Sequence, residues 1–292
     1  MKLKIAFFGT PEFSAKILEK MKDGGFAPSL VIATPDKPKG RNLVMTPPAT
    51  KIWAEQNNIA VLQPTKLKTP EFLDELKKTD WDLFIVASYG KIIPQDVLDI
   101  PKYGTINVHP SLLPRLRGAS PMQSAILKEK ETGMTLMLMD ADMDHGPILK
   151  QEKLDIKNLP AGRQGWPPQI TELENMMVEV GGRLLNEVIP LWVGGKIKPK
   201  EQDHSKATYI DKINKEEALI NFDDDPFWNY RKIQALQNYK PYFFTERNNK
   251  KIRVIIKEAK FEDGELVIMR VLPEGKKEMD YQDFLRGSNN KV

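Results

Sequence analysis

Lys4-Ile-Ala-Phe-Phe-Gly-Thr-Pro-Glu-Phe-Ser14 opens with an unbroken apolar run that stops at a glycine. A run apolar at consecutive rather than alternate positions marks a strand buried on both faces, the kind found in parallel sheets. From Pro11 a helix is expected, because Phe13, Ile17 and Met21 recur at every fourth position until Gly24-Gly25. Ser29-Leu-Val-Ile-Ala33 reads as a second strand, residues 50–56 as a helix and residues 59–62 as a short strand. Thr69 is placed to cap a helix with Pro70 at its first position, and Trp81-Asp-Leu-Phe-Ile-Val-Ala87 is another buried strand. Strands alternating with helices imply right-handed crossovers and a parallel sheet. Such a start invites a dinucleotide-binding reading, which the residues oppose. The fingerprint G-x-G-x-x-G needs glycines against the pyrophosphate, and here Pro11 and Ser14 stand at the second and third glycine positions.

Gly104-Thr-Ile-Asn-Val-His-Pro-Ser-Leu-Leu-Pro-Arg-Leu-Arg-Gly118 is the stretch richest in chemistry. Thr105-Ile-Asn-Val108 is a short strand that Pro110 stops. Asn107 and His109 are two apart, so they project from one face of an extended backbone. They sit where a strand opens into a loop, and in open α/β sheets ligands bind in the crevice beyond the carboxyl ends of strands. An amide can hydrogen-bond a developing oxyanion, and an imidazole moves protons near neutral pH. On residue types alone, a turn former beside a satisfied histidine is the more ordinary reading. Two observations count against it: the chain has only three histidines, and Met139-Asp-Ala-Asp-Met-Asp-His-Gly-Pro147 follows the next strand, Met134-Thr-Leu-Met-Leu-Met139. That cluster could supply a carboxylate. The methionines are read as core filler. Asp140, Asp142 and Asp144 alternate as in a cation loop, but no glutamate follows at the EF-hand position and Pro147 interrupts it. No metal is expected.

Together, Asn107-Val-His109, Ser111-Leu-Leu-Pro114, Arg117-Gly118 and Asp144-x-Gly146 resemble the formyltransferases that use 10-formyltetrahydrofolate. Phe8-Gly-Thr-Pro-Glu-Phe13 and Thr34-Pro-Asp-Lys-Pro-Lys-Gly-Arg41 narrow the resemblance to the methionyl-tRNA formyltransferase family, in order and nearly end to end.

The remaining chain and its composition agree with two domains. At 292 residues there is length for two cores, and 40% hydrophobic with 29% charged residues is ordinary for a globular protein. No apolar run approaches the roughly 18 residues that span a bilayer, and the first strand is too short and too soon broken for a signal peptide. Without cysteine there is no thiolate chemistry; a cytoplasmic protein is expected, with no membrane partner and as a monomer. A net charge of +4 permits an anionic partner without requiring one. A helix is expected from Pro121 to about 130 and a strand over 146–155. Asn158-Leu-Pro-Ala-Gly-Arg-Gln-Gly-Trp-Pro-Pro-Gln169 reads as an inserted surface loop, since the family passes here through a shorter turn. Thr171-Glu-Leu-Glu174 has the form of a capping box opening a helix to about 188, and 193–206 reads as a polar linker. Beyond it come helical pieces over 215–219 and 225–237. Strands over 242–245, 251–257 and 265–271, split by Asn248-Asn249 and Asp263-Gly264 turns, suggest a small antiparallel β-barrel.

The resemblance therefore implies an α/β fold. A Rossmann-like parallel-sheet catalytic domain would cover 1–192, the linker 193–206, and an oligonucleotide-binding-like barrel for tRNA 207–292. It implies acyl transfer from 10-formyltetrahydrofolate to the α-amino group of methionyl-initiator-tRNA. Asn107 would polarise the formyl carbonyl, His109 would handle protons, and Asp144 would hold the imidazole's tautomer, favour its charged form or pass a proton through water. Ser111, Leu112, Leu113 and Pro114 would line the folate site, with Asp140. Tyr89, Gly90 and Ile92 belong to the loop that would hold the pterin through backbone groups and apolar contact. Lys37, Lys39 and Arg41 would reach the tRNA acceptor end. Lys250, Lys251 and Arg253, flanked by Arg247 and Lys257, would track phosphates. His145 is expected to face solvent. The rivals are a formyltransferase acting on an amino-sugar nucleotide or glycinamide ribonucleotide, a hydrolase releasing formate, and a tRNA-binding protein without turnover.

Overall fold

The computed structural model describes residues 3–40, 43–154, 167–247 and 250–286. In chain order the elements begin β1 (Ile5–Gly9), α1 (Glu12–Asp23), β2 (Leu30–Ile32), β3 (Lys37–Lys39), β4 (Val44–Thr46), α2 (Ala49–Gln56), β5 (Ala60–Leu62) and α3 (Pro70–Lys77). They continue with β6 (Leu83–Ala87), α4 (Gln95–Leu98), β7 (Thr105–His109), β8 (Arg117–Gly118), α5 (Pro121–Lys128), β9 (Gly133–Leu138), β10 (Ile148–Lys153) and α6 (Ile170–Val193). The last are β11 (Tyr209–Ile210), α7 (Pro226–Ala235), β12 (Tyr242–Arg247), β13 (Lys250–Glu262), β14 (Glu265–Pro273), β15 (Met279–Asp280) and α8 (Tyr281–Arg286). The chain divides into two compact units. One is Met1–Pro121 with Thr132–Leu154 and Glu174–Ile210; the other is Met122–Glu131 with Asp155–Leu173 and Asp211–Val292.

The first unit is built on a seven-stranded sheet in the order β10-β9-β7-β6-β1-β2-β5. β1, β2, β5, β6 and β7 are parallel, and β9 and β10 add an antiparallel edge. Every residue of β1, β2, β6 and β7 is buried, as the consecutive apolar runs require. From β1 the chain winds outward through β2 to β5 and then returns to place β6 on the other side of β1, so the winding reverses between β1 and β6. A ligand crevice is expected at that reversal, beyond the carboxyl ends. Gly9 and Ala87 close those two strands in register. The Ser14 hydroxyl donates to the Ala87 carbonyl (2.6 Å) and the Thr10 hydroxyl to that of Tyr89 (2.9 Å). A Cβ on Gly9 would lie 2.8 Å from that of Ser14, so the close start of α1 needs this glycine. Phe84 anchors an aromatic cluster, with ring centroids 5.3 Å from Phe8 and 5.8 Å from Trp81. Met134 and Met137 of β9 are core residues, as read.

Several local expectations shift. Thr69 does cap α3, accepting from the Phe72 N–H, with Pro70 in the first turn. The helix expected to open at Thr171 starts at Ile170 instead and runs to Val193. The carboxylate that reaches back is Glu172, accepting from the Gln169 N–H at 2.9 Å. The charged loop after β2 carries a hairpin, β3 with β4, that was not foreseen. Most of the 158–169 insertion lies outside the described residues. The stretch 193–206, read as a linker, is packed rather than free: Gln202 is buried and Lys200 bridges Ile148 in an antiparallel pair.

The second unit carries a four-stranded antiparallel sheet in the order β12-β13-β14-β15, over a core of Phe243, Val254, Ile256, Val271, Ile233 and Phe284. The expected barrel is not closed by any pairing among the described residues; each strand meets only its neighbours in sequence, and β12 adds one parallel bridge to Leu219. The Asp263-Gly264 turn joins β13 to β14, while the Asn248-Asn249 turn lies outside the described residues. The helix expected over 215–219 is a single 3₁₀ turn, Glu216–Ala218. Asp225 caps α7 through the Trp228 N–H (2.7 Å), with Pro226 in the first turn. No described helix is long and apolar enough to cross a membrane.

Phe84 is wholly buried at the centre of the first sheet. Phe84→Ala is expected to lower stability by about 3–5 kcal/mol, read as an earlier midpoint in chemical denaturation.

Candidate active site

β7 delivers two polar side chains into an apolar sheet. Asn107 is 9% exposed and His109 4%, so each must be satisfied internally. A carbonyl oxygen only accepts, so His109 Nε2, 3.0 Å from the Leu116 carbonyl, carries the proton. Nδ1 is then left facing Asp144 Oδ1 across 3.5 Å. The same oxygen accepts from Asn107 Nδ2 (3.1 Å), and Asp144 Oδ2 accepts from the Gly118 N–H (2.8 Å). The three residues expected to act together are therefore in contact. One role differs from the expectation: the tautomer is set by the Leu116 carbonyl, and Asp144 spends its close hydrogen bonds on Asn107 and Gly118.

The backbone around this group is held in unusual conformations. Leu116 and Asp144 both lie in the left-handed region, at φ 61° and 49°. Gly118 has φ 121°, and a Cβ there would come within 2.2 Å of the Ile210 carbonyl oxygen. The short parallel pair of β8 with β11 brings that carbonyl so close. The Leu116 N–H donates to the Thr208 hydroxyl at 2.8 Å, tying the same loop to the segment after α6.

The proposed folate residues divide between interior and surface. Ser111 and Leu113 are buried; the Ser111 hydroxyl donates to the Arg115 carbonyl (2.7 Å), and the Gln151 amide donates to the Leu113 carbonyl (2.9 Å). Leu112 and Pro114 are partly buried, and the Leu113-Pro114 peptide is cis. Tyr89 turns its side chain inward. Its ring sits in the core against Phe8 (5.5 Å, edge-on), its hydroxyl has no partner, and burial pushes the phenol up to about 12. Gly90 (φ 81°) has open space where a Cβ would stand, and Ile92 is 87% exposed. Asp140 accepts from the Asp142 N–H (3.1 Å) and pairs with His145 Nδ1 (2.8 Å). Asp140 and Asp144 are thus committed to different partners, which the metal-loop pattern did not anticipate. His145 is not simply solvent-facing, since its ring stacks flat on His204, centroids 4.1 Å apart.

Of the residues assigned to tRNA, Lys37 and Lys39 lie on the exposed β3–β4 hairpin, whose tip also exposes Leu43, Val44 and Met45. Arg41 lies outside the described residues. In the second unit Lys250 is exposed, Lys251 Nζ sits 4.4 Å over the Phe244 ring and the Arg253 guanidinium 3.7 Å over Tyr242. Arg247 does not join this face: it packs over the Phe284 ring and donates to the Phe284 carbonyl. The cluster is also less purely basic than in sequence, because Glu246 stands opposite Lys251 in register.

Sequence reasoning missed Gln202 and gave Arg117 no role. Gln202 Nε2 donates to the carbonyls of Asp144 (2.9 Å) and Gly146 (2.7 Å), and its Oε1 accepts from the buried Arg117 guanidinium (2.7 Å). Nothing in the polar run 194–204 marks one glutamine as structural; the signal exists only in space.

The formyl transferase family model matches residues 3–162. A methionyl-tRNA formyltransferase of Dictyoglomus thermophilum is 39% identical over 311 residues, covering 98% of this chain and 97% of the relative. One of Bacillus licheniformis is 35% identical over 311 residues, covering 98% and 95%. In fold, the chain resembles an N-formyltransferase of Helicobacter canadensis solved with folinic acid and dTDP-3-aminofucose (TM-score 0.60, 21% identity, 89% of each chain).

The Tyr89 phenol binds its proton more tightly folded (about 12) than unfolded (10.0). Its contribution to stability is complete below pH 10 and is lost between pH 10 and 12. Because the hydroxyl is buried without a partner, Tyr89→Phe is expected to be more stable than the parent by about 1–3 kcal/mol at pH 8. That advantage should widen across pH 10–12, as denaturation midpoints at each pH would record.

Proposed function

The chain belongs to the methionyl-tRNA formyltransferases of the formyl transferase family, and from that premise we propose that it moves the formyl group of 10-formyltetrahydrofolate to the α-amino group of methionine on initiator tRNA. The observation that carries the reading is the contact between Asn107, His109 and Asp144 at the carboxyl end of β7, beside the strands where the winding of the sheet reverses.

Acyl transfer places negative charge on the formyl oxygen in the transition state, and an aligned donor held in a dry site is the strongest stabiliser available. An asparagine amide has two N–H donors. One is spent on Asp144, which fixes the plane of the amide and directs the second outward to that oxygen. The His109 ring is pinned through Nε2, so Nδ1 is its working nitrogen, and a proton taken there falls between the ring and the Asp144 carboxylate. The attacking α-amine titrates near 8 in model compounds, so an appreciable neutral fraction is present at pH 7 and no activated nucleophile is required.

The folate, which supplies the formyl group, is placed against the open side of the Tyr89–Pro94 loop. The free space above Gly90 and the exposed Ile92 offer a flat ring backbone contact and apolar cover. Ser111 and Leu113 act from within, by shaping the loop that Leu112 and Pro114 present, and Asp140 acts by shaping its own loop. For tRNA, the β3–β4 hairpin offers Lys37 and Lys39, and Arg41 is the third basic residue of the same stretch of sequence. The second unit offers Lys250, Lys251 and Arg253 beside exposed Phe244, a combination of phosphate contact and ring stacking suited to nucleic acid. The amino-sugar alternative draws on structural likeness at 21% identity, which speaks for the fold alone; the relatives that share 35–39% over nearly the whole chain are the tRNA enzymes.

The direct assay combines charged initiator tRNA with formyl-labelled tetrahydrofolate. Label is expected on methionyl-tRNA, with uncharged tRNA inert; free formate in its place would identify a hydrolase, and neither product would leave a tRNA-binding protein. Asn107→Ala is expected to lower kcat by about 10²–10³ while tRNA binding, measured by filter retention, stays unchanged. Replacing Lys251 and Arg253 together by Ala is expected to leave kcat intact and to flatten the dependence of log Kd on log salt by about one unit per lost phosphate contact.

A further inference from the structure

Gln202 lies in the polar stretch after α6, far in sequence from β7 and the Asp144 loop, yet its side chain is buried and its amide is fully used. Both Nε2 hydrogens go to carbonyls, one to Asp144 and one to Gly146, so a single NH₂ group spans His145. Oε1 accepts from Arg117 Nη2 at 2.7 Å. This pattern admits one orientation of the amide, because turning it over would set Oε1 against two carbonyl oxygens and the NH₂ against a guanidinium. Arg117 is itself 1% exposed; Nη1 donates to the Tyr209 hydroxyl (3.2 Å) and Nη2 also to His204 Nδ1 (2.9 Å), while the buried Nε has no partner among the described residues. The guanidinium cannot lose its proton, so it is a permanent donor that keeps Gln202 turned toward the loop.

The clasp has a reason at Asp144. That residue is held at φ 49°, a conformation that disfavours L side chains and persists only where the surroundings impose it. Gly146 is equally constrained, with a Cβ there falling 2.0 Å from the Leu138 carbonyl oxygen. Fixing the two carbonyls on either side of His145 sets the direction in which the Asp144 carboxylate leaves the backbone, and so its bonds to Asn107 and Gly118. We propose that Gln202, oriented by buried Arg117, is a positioning residue for Asp144 in the formyl-transfer reaction. This rests on the catalytic reading of Asn107, His109 and Asp144 given above.

The test is a double-mutant cycle in the full-length enzyme. Gln202→Glu keeps the size and gains an ion pair with Arg117, yet turns an acceptor toward each carbonyl. Gln202→Met keeps the volume and removes the donors, and it carries the test if the Glu variant does not fold. Either change is expected to lower kcat about 10²-fold, the scale of a small misplacement of a reacting group. KM for the folate and for methionyl-tRNA should stay within about threefold, with the thermal midpoint showing the enzyme folded at assay temperature. In an Asp144→Asn background the same changes should add no further loss, because they act through that carboxylate. Retained kcat, losses that multiply with Asp144→Asn, or a loss confined to KM would each overturn the proposal. If Asp144→Asn itself leaves kcat unchanged, the catalytic reading falls and takes this role with it. If Asp144→Asn abolishes turnover and the Gln202 variants do not, the positioning role alone falls.

Discussion

The Asp144 carboxylate is the tie on which the site depends. One oxygen holds the Asn107 amide and faces the His109 ring, and the other holds the Gly118 N–H. β7 and the β8 loop are thereby fastened to a third segment that follows β9. Without that anion, Asn107 would present a buried amide with a donor unspent, at a cost of about 1–3 kcal/mol, and it would be free to turn its oxygen toward the position where negative charge develops. The hydrogen bond is as much about orientation as about strength. On the proposed mechanism it decides which end of an amide the reacting group meets.

A polar group of this kind sits inside a sheet because most of its atoms are accounted for by neighbours. His109 is satisfied by the Leu116 carbonyl, Ser111 by that of Arg115, and Thr135 by the Ser111 carbonyl. Gln151 donates to both Thr135 Oγ1 and the Leu113 carbonyl. Such networks are rigid because partial satisfaction in a low-dielectric interior is costly. That rigidity explains the left-handed backbones at Leu116 and Asp144: the strain is held in place by hydrogen bonds on both sides of each residue, from Thr208 and His109 at the first and from Gln202 and Gly118 at the second.

Much of this was legible in one dimension because the signals are local. Consecutive burial in β1, β6 and β7 is written in runs of apolar residues, and the pairing of Asn107 with His109 follows from the two-residue repeat of a strand. The Thr69-Pro70 start of α3 needs only adjacent residues to be seen. What stayed hidden depends on partners far apart in the chain. The two-residue strands β8 and β11 pair across about ninety positions and have no periodicity to detect. Gln202 is one polar residue in a polar run until the fold sets it against the Asp144 loop. Tyr89 belongs to the loop that the resemblance links to the pterin, yet its ring turns inward to Phe8, which no local pattern announces. The small C-terminal domain read as a barrel because short strands and turns specify neighbouring pairs well and closure hardly at all.

The group at Asn107 is also general in a way that limits what it can specify. On the proposed mechanism an oriented amide and a pinned imidazole meet a formyl oxygen and an amine, and nothing in that geometry distinguishes a methionyl ester from an amino sugar. Choice of acceptor must therefore reside in residues that never touch the reacting atoms. Here the features suited to a nucleic acid are the exposed lysines of the β3–β4 hairpin and the β12–β13 face of the second unit, where cations lie over aromatic rings. The rings hold the long basic side chains extended and desolvate one side of each charge, so less conformational entropy is lost when a phosphate arrives. On the proposed reading, chemistry and selection are thus carried by different parts of the chain: one is buried and rigid around Asp144, and the other is exposed and electrostatic, with a strength set by salt rather than by packing.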